Sequence, residues 1–197
     1  QPLEEKSVTI VRLNAAYRYP AQFMLVAAIN PCKCGYYPDR NICRCSEYDI
    51  NRYLGRISQP FWDRFDICVQ TGRVRYKDLL EKDEEVIRNN DYLSSADMKT
   101  MVDKAIEFQK DRYLGGSFKL NSEMTISDIK KYCELGSKEN KLMERVFSKL
   151  NLTTRGYHKI LKTARTVADI EQSERITCAH LSEAVSYRSF DNSVVKI

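Results

Sequence analysis

No apolar run in this sequence approaches the roughly 18 residues that a membrane-spanning helix needs, and no signal-peptide pattern opens it. A membrane partner is therefore not expected. Histidine is scarce: His158 and His180 are the two present, and neither has a ligand-spaced companion. Charge of one sign is not in excess either. A net charge of +5 on 197 residues permits a nucleic-acid partner without demanding one. The chain starts at Gln1 with no Met, as expected of a segment of a longer protein. What remains is ordinary for a globular chain, 43% apolar and 30% charged. Seven cysteines without a secretory signal fit a reducing, cytoplasmic setting in which thiols bind metal or fill the core.

The stretch from 21 to 69 organises the chain. Residues 23–29, Phe-Met-Leu-Val-Ala-Ala-Ile, form an apolar run that stops at Asn30-Pro31, and a second run, 65–69, follows Trp62-Asp63-Arg64. Such runs read as strands buried on both faces of a parallel sheet. Ligands of open parallel sheets gather at the carboxyl ends of strands, which draws attention to Asn30. Between the runs lie Cys32, Cys34, Cys43 and Cys45, in the pattern C-x-C-x8-C-x-C. Four thiolates from two short turns suit structural zinc, although C-x2-C is the usual turn and C-x-C is tighter. Free thiols, or a redox pair, on a knuckled loop are the other reading. Catalytic zinc does not fit, since four thiolates leave no open position.

Ahead of this stretch, residues 8–13 and 17–20 flank Asn14-Ala15-Ala16 and predict a β-hairpin closed by Pro20. Arg12, Arg18, Tyr17 and Tyr19 make it basic and aromatic. Either the hairpin is simply solvated, or its cations meet phosphates while its rings stack on bases. Ser46 with Asp49 predicts a capped helix to Leu54. An Arg between acids, as in Asp63-Arg64-Phe65-Asp66, is by itself more often a local ion pair than a functional cation.

The second half changes character. Residues 73–94 are charged without clean periodicity and read as a linker. Five helical stripes are expected over 95–197: a helix capped by Ser95 bearing Met98, Met101, Val102, Ala105 and Ile106; one opened by Thr125 and Asp128; one from Ser137; the longest, after Thr153 or Thr154, carrying Tyr157, Ile160, Leu161, Ala164, Val167 and Ala168; and a last one capped by Thr177. They predict a small bundle. Arg155, Lys159, Lys162 and Arg165 predict a basic face on the longest helix. Arg155 in the first turn opposes the helix dipole and hints at an anionic partner.

Together, Asn30-Pro31-Cys32-Lys33-Cys34-Gly35, Cys43-Arg44-Cys45, Gly55-Arg56-Ile57-Ser58, Asp63-Arg64-Phe65-Asp66, Arg155-Gly156-Tyr157-His158 and Ala164-Arg165-Thr166-Val167-Ala168-Asp169 resemble the magnesium-chelatase-like AAA+ ATPases, and within them the ComM-type competence group. The resemblance departs at Lys33, where relatives commonly carry Pro, and at Phe61-Trp62, where they carry two aliphatics. It implies an α/β part joined to an all-α part. Residues 1–72 would be the C-terminal portion of an AAA+ core, with hairpin, two buried parallel strands and Cys-rich loop; residues 95–197 would be a five-helix lid.

By the same resemblance, Asn30 is the sensor 1 residue that orients attacking water, Arg64 the arginine finger offered to a neighbouring subunit's nucleotide, and Arg155 the sensor 2 arginine of the lid. These three would be the catalytic and nucleotide-binding residues. Arg12 and Arg18 would touch nucleic acid. The parent is expected to be a homo-oligomeric ring, a hexamer, using ATP and Mg2+ to remodel DNA by branch migration during natural transformation. The sequence contains no G-x-x-x-x-G-K-[ST] and no strand ending in paired acids, so this segment alone is expected to be inactive. Two alternatives stay open: a chelatase-type motor that remodels a protein partner for metal insertion, and a non-enzymatic zinc-stapled interaction module.

Overall fold

A computed structural model describes residues 2–13, 15–72, 74, 76 and 93–195. The chain divides into two compact units, Gln1–Arg64 and Phe65–Lys196. The linker expected over 73–94 lies outside the described residues apart from positions 74, 76, 93 and 94.

The first unit opens with a short helix, α1 (Pro2–Glu5), and a hairpin of β1 (Ser7–Arg12) and β2 (Ala15–Pro20). The strands pair antiparallel from Ser7↔Pro20 to Arg12↔Ala15. Ala15 and Ala16, expected in the connection, instead belong to β2. Period-2 alternation puts Val8, Ile10, Arg12, Ala15, Tyr17 and Tyr19 on one face. Ile10, Tyr17 and Tyr19 are about half exposed there.

Residues 21–30 then run without regular structure, and the two parallel strands expected at 23–29 and 65–69 do not form. Met24 and Val26 are 87% and 80% exposed, and Ile67 and Val69 are exposed too. A central parallel strand takes its ladder bonds from neighbours on both sides. Among the described residues the only ladder is β1–β2, so these runs pair with no strand.

After the cysteine loop, α2 (Glu47–Leu54) starts on the expected capping box. The Asp49 amide donates to Ser46 Oγ (3.1 Å), and the Asp49 carboxylate accepts from the Ser46 amide (3.3 Å). The Ser46 hydroxyl (2.7 Å) and the Ser46 amide, both donating to it, hold the Asp49 carboxyl below its usual range. Ile50, Leu54 and, from α3 (Gln59–Trp62), Trp62 are the larger buried apolar side chains of this unit.

In the second unit the helices are α4 (Ser95–Arg112), α5 (Ile126–Tyr132), α6 (Ser137–Leu150), α7 (Thr154–Ile170) and α8 (Cys178–Val195), with a 3-10 turn at Asn121–Glu123. Thr125 and Asp128 form the expected capping box of α5. The cap of α4 is Ser94, one residue earlier than expected, because Asp97 is then the third helical residue and closes a box with it. Met98, Met101 and Val102, expected in the core, are exposed, and Ala105 is the first buried position of α4. The periodic stripe of α7 is buried as expected and packs with Tyr113, Met124, Ile129, Cys133, Met143, Leu181 and Ala184. Burial pushes the Cys133 thiol up to about 11, as suits an inert core cysteine.

One member of the expected basic face does not lie on the surface. Arg165 is 1% exposed, and its Nε donates to Asp169 Oδ1 (3.0 Å) one turn on, while its Nη1 donates to the Glu174 carbonyl (2.8 Å). Asp169, fully buried, also accepts from Arg112 Nη1 (3.0 Å) and from Asn121 Nδ2 (2.8 Å). One carboxylate thus holds α4, α7 and the 3-10 turn together. Asp169→Ala should destabilise the protein by about 3–5 kcal/mol, because two guanidinium groups lose their buried counter-charge. Urea unfolding measures it; a loss below about 1 kcal/mol, the level of an exposed pair, would contradict the network's role.

Candidate functional site

The four cysteines are brought together by two turns. Gly35 adopts φ +80°, a left-handed conformation that a side chain would strain, and its amide donates to the Cys32 carbonyl (3.0 Å). The second turn is built on Asp39: its carbonyl accepts from the Ile42 and Cys43 amides (3.2 and 2.8 Å), and its carboxylate accepts from the Asn41 amide (3.0 Å). Arg40 reaches across to the Cys45 carbonyl (2.9 Å). Lys33, the departure noted in the first turn, lies 3.9 Å from the Asp49 carboxylate of α2, an exposed pair of small energetic value.

All four Sγ atoms lie within 4.8 Å of one another, with Cys32–Cys34, Cys34–Cys43 and Cys32–Cys43 at 3.3, 3.6 and 3.8 Å. With Zn–S near 2.3 Å, a regular tetrahedron separates its sulfurs by about 3.8 Å. The donor set therefore fits a zinc-sized tetrahedral ion, with Cys32, Cys43 and Cys45 buried and Cys34 exposed. Burial works against the Cys32 thiolate, but the Tyr37, Cys34 and Tyr36 amides and the Cys34 thiol outweigh it and bring the group down to about 6. Cys45, hydrogen-bonded to Cys34 and buried, is pushed up to about 12, and burial raises Cys43. A divalent cation among the four sulfurs would favour the thiolate form of each.

Asn30 is exposed at the end of the irregular stretch, before the first cysteine turn. A Cβ at Gly35 would lie 3.8 Å from its carboxamide carbon. Arg64 is half-buried just after α3, with Nη1 donating to the Pro60 carbonyl. Arg155 is exposed in the first turn of α7, placed there by the Thr153 cap, whose Oγ1 accepts from the Gly156 amide (3.0 Å), and by the left-handed Asn151 that ends α6. Asn30 and Arg64 belong to the first unit and Arg155 to the second. On the hairpin, Arg12 shares the face of Tyr17 and Tyr19, whereas Arg18 lies on the opposite face with its Nε donating to Ser7 Oγ (3.1 Å).

Sequence reasoning did not anticipate the partners of three side chains. Lys159 Nζ lies 3.0 Å from Asp66 Oδ1, Lys162 donates to the Ser122 carbonyl (3.0 Å), and buried Arg188 donates to the Phe65 carbonyl (2.8 Å). The two lysines were legible only as members of a helix face. His180 is buried, its Nδ1 accepting from the Thr177 amide (3.1 Å) and its Nε2 facing Glu171 (2.8 Å), which makes it a capping side chain rather than a ligand. No described helix is long and apolar enough to cross a membrane.

The sequence matches the family described as magnesium chelatase, subunit ChlI, over residues 1–79, and the C-terminal family of the same subunit over residues 93–188. Competence protein ComM of Haemophilus influenzae is 36% identical over all 197 residues, and a protein named YifB of Escherichia coli is 38% identical over the same span. A Mycobacterium bovis protein, Mb2921c, is 28% identical over 187 residues. The chain covers 36%, 37% and 35% of these relatives, a little over a third of their length. In both halves, and in the same order as its motifs, the chain belongs to the magnesium-chelatase-like family, as a ComM-type member.

Proposed function

We propose that this chain is the C-terminal part of a ring-forming AAA+ ATPase that couples ATP hydrolysis to DNA remodelling in natural transformation. The 36% identity to competence protein ComM over all 197 residues of this chain, with Asn30, Arg64 and Arg155 following one another in the motif order noted above, supports the reading. Phosphoryl transfer is catalysed chiefly by positioning and by cations on developing charge. Asn30 orients the attacking water. Arg64, whose planar fork can hold two phosphate oxygens, is offered to the nucleotide of the adjacent subunit. Arg155, exposed where the dipole of α7 adds positive potential, meets the phosphates from the lid. Mg2+, bound with the nucleotide, neutralises charge on the phosphate oxygens. The four-cysteine cluster holds structural zinc and fixes the loop that follows Asn30.

The hairpin supplies the DNA contact: Arg12 beside two half-exposed tyrosine rings combines a phosphate partner with a stacking surface. In the full-length protein, Arg12→Ala with Arg18→Ala should weaken DNA stimulation of the ATPase. Each lost phosphate contact should also make the log–log salt dependence of DNA binding shallower by about 1. An unaltered DNA response removes the hairpin assignment. A chelatase-type motor acting on a protein partner is the second reading, favoured by the subunit description of the matched family. Its mark is a partner-protein requirement with no stimulation by DNA.

A further inference from the structure

Arg188, near the C-terminal end of the described side chains in α8, is a buried charged group. It is 4% exposed, and the side chains of Leu181 and Ala184 on the same helix are in the core. Burying a guanidinium is costly unless its donors are used, and stability alone is served as well by an apolar side chain of that volume. Its Nη1 donates to the Phe65 carbonyl at 2.8 Å. Its Nη2 reaches the start of α7, where a Cβ built on Gly156 would lie 3.9 Å away. Phe65 is covalently next to Arg64, and Gly156 is next to Arg155. One guanidinium therefore spans the backbone positions adjoining the two arginines assigned to the nucleotide.

Two further bonds hold the same short segment. The Cys68 amide donates to the Tyr187 carbonyl (2.9 Å), and Lys159 of α7 pairs with Asp66 (3.0 Å). Residues 65–68 are thus fastened to α7 and α8 at three points, all within the second unit.

We infer that Arg188 is a positioning residue for the arginine finger: by holding the Phe65 carbonyl it fixes the backbone directly after Arg64. The inference rests on the ATPase reading above. Catalysis by an arginine finger is sensitive to placement, and a misplacement of about 1 Å can cost on the order of 100-fold.

The test is a double-mutant cycle in the full-length protein with Arg188→Met, Arg64→Ala and the pair, following single-turnover ATP hydrolysis, the KM for ATP and thermal unfolding. Arg188→Met alone should lower kcat by about 10- to 100-fold with KM nearly unchanged. In the Arg64→Ala background it should lower kcat no further, because a finger that is absent cannot be misplaced. Equal losses in both backgrounds, or an unchanged kcat, overturn the inference and leave Arg188 a structural residue. If Arg188→Met unfolds the lid, the cycle is run with Arg188→Lys, which keeps a cation and one donor to the Phe65 carbonyl, and the same two outcomes decide. Unchanged turnover in Arg64→Ala alone removes the arginine-finger assignment itself, which separates the two failures.

Discussion

Replacing Arg64 by Ala in the full-length protein is expected to lower ATP turnover by about 10³–10⁵-fold while leaving ATP affinity within a few-fold. The size follows from what the guanidinium would do. Charge spreads over the transferred phosphoryl oxygens in the transition state, and a cation held there by two parallel hydrogen bonds interacts more strongly with that state than with bound ATP. Arg64 sits in the loop leaving α3, half-buried, with Nη1 donating to the Pro60 carbonyl. Arg64→Lys should recover little, since a point charge cannot grip two oxygens in one plane. Steady-state turnover with a separate nucleotide-binding titration checks both statements. Turnover within a few-fold of the unmodified protein would remove the arginine-finger assignment.

The second large effect concerns the cysteine cluster. Metal analysis of the purified protein should find one zinc per chain, and a chelator or the change Cys32→Ser with Cys43→Ser should remove it and unfold the region around the cluster. Structural zinc contributes apparent free energies of about 10–16 kcal/mol. The buried side chains of Ile50, Leu54 and Trp62 contribute about 1.5–3 kcal/mol each. Three buried cysteines are among the few other described interior residues of that unit, so a bound metal would dominate its stability. Far-UV dichroism and thermal melting follow the loss. Metal-free protein that melts as the zinc-bound protein does would show that the thiols pack without an ion.

Local features were the legible part of the sequence. The hairpin announced itself through β-branched and aromatic residues ending in Pro20. The capping boxes at Ser46 and Thr125 each paired a hydroxyl with an acid three residues on, and the four thiols converge as their turn-forming neighbours imply. The stripe of α7 was legible because one helix face suffices to define it.

Features that depend on distant partners were not legible. The runs at 23–29 and 65–69 have the composition of buried strands, yet a strand forms only against another strand, and among the described residues none is beside them. Arg165 has the spacing of a surface cation. Its burial depends on the Glu174 carbonyl and on Asp169, which Arg112 also engages from 57 positions away. Arg188 carried no motif in the sequence reading, and only the structure brings it to the Phe65 carbonyl, 123 positions back along the chain.

Whether Arg64 serves the nucleotide of a neighbour is measured most directly by mixing two inactive forms of the full-length protein, Arg64→Ala and a variant lacking the P-loop lysine. A subunit with an intact P-loop beside one with an intact Arg64 rebuilds a complete interface, so ATP turnover should return on mixing. A mixture as inactive as its two components would contradict an interface shared between subunits.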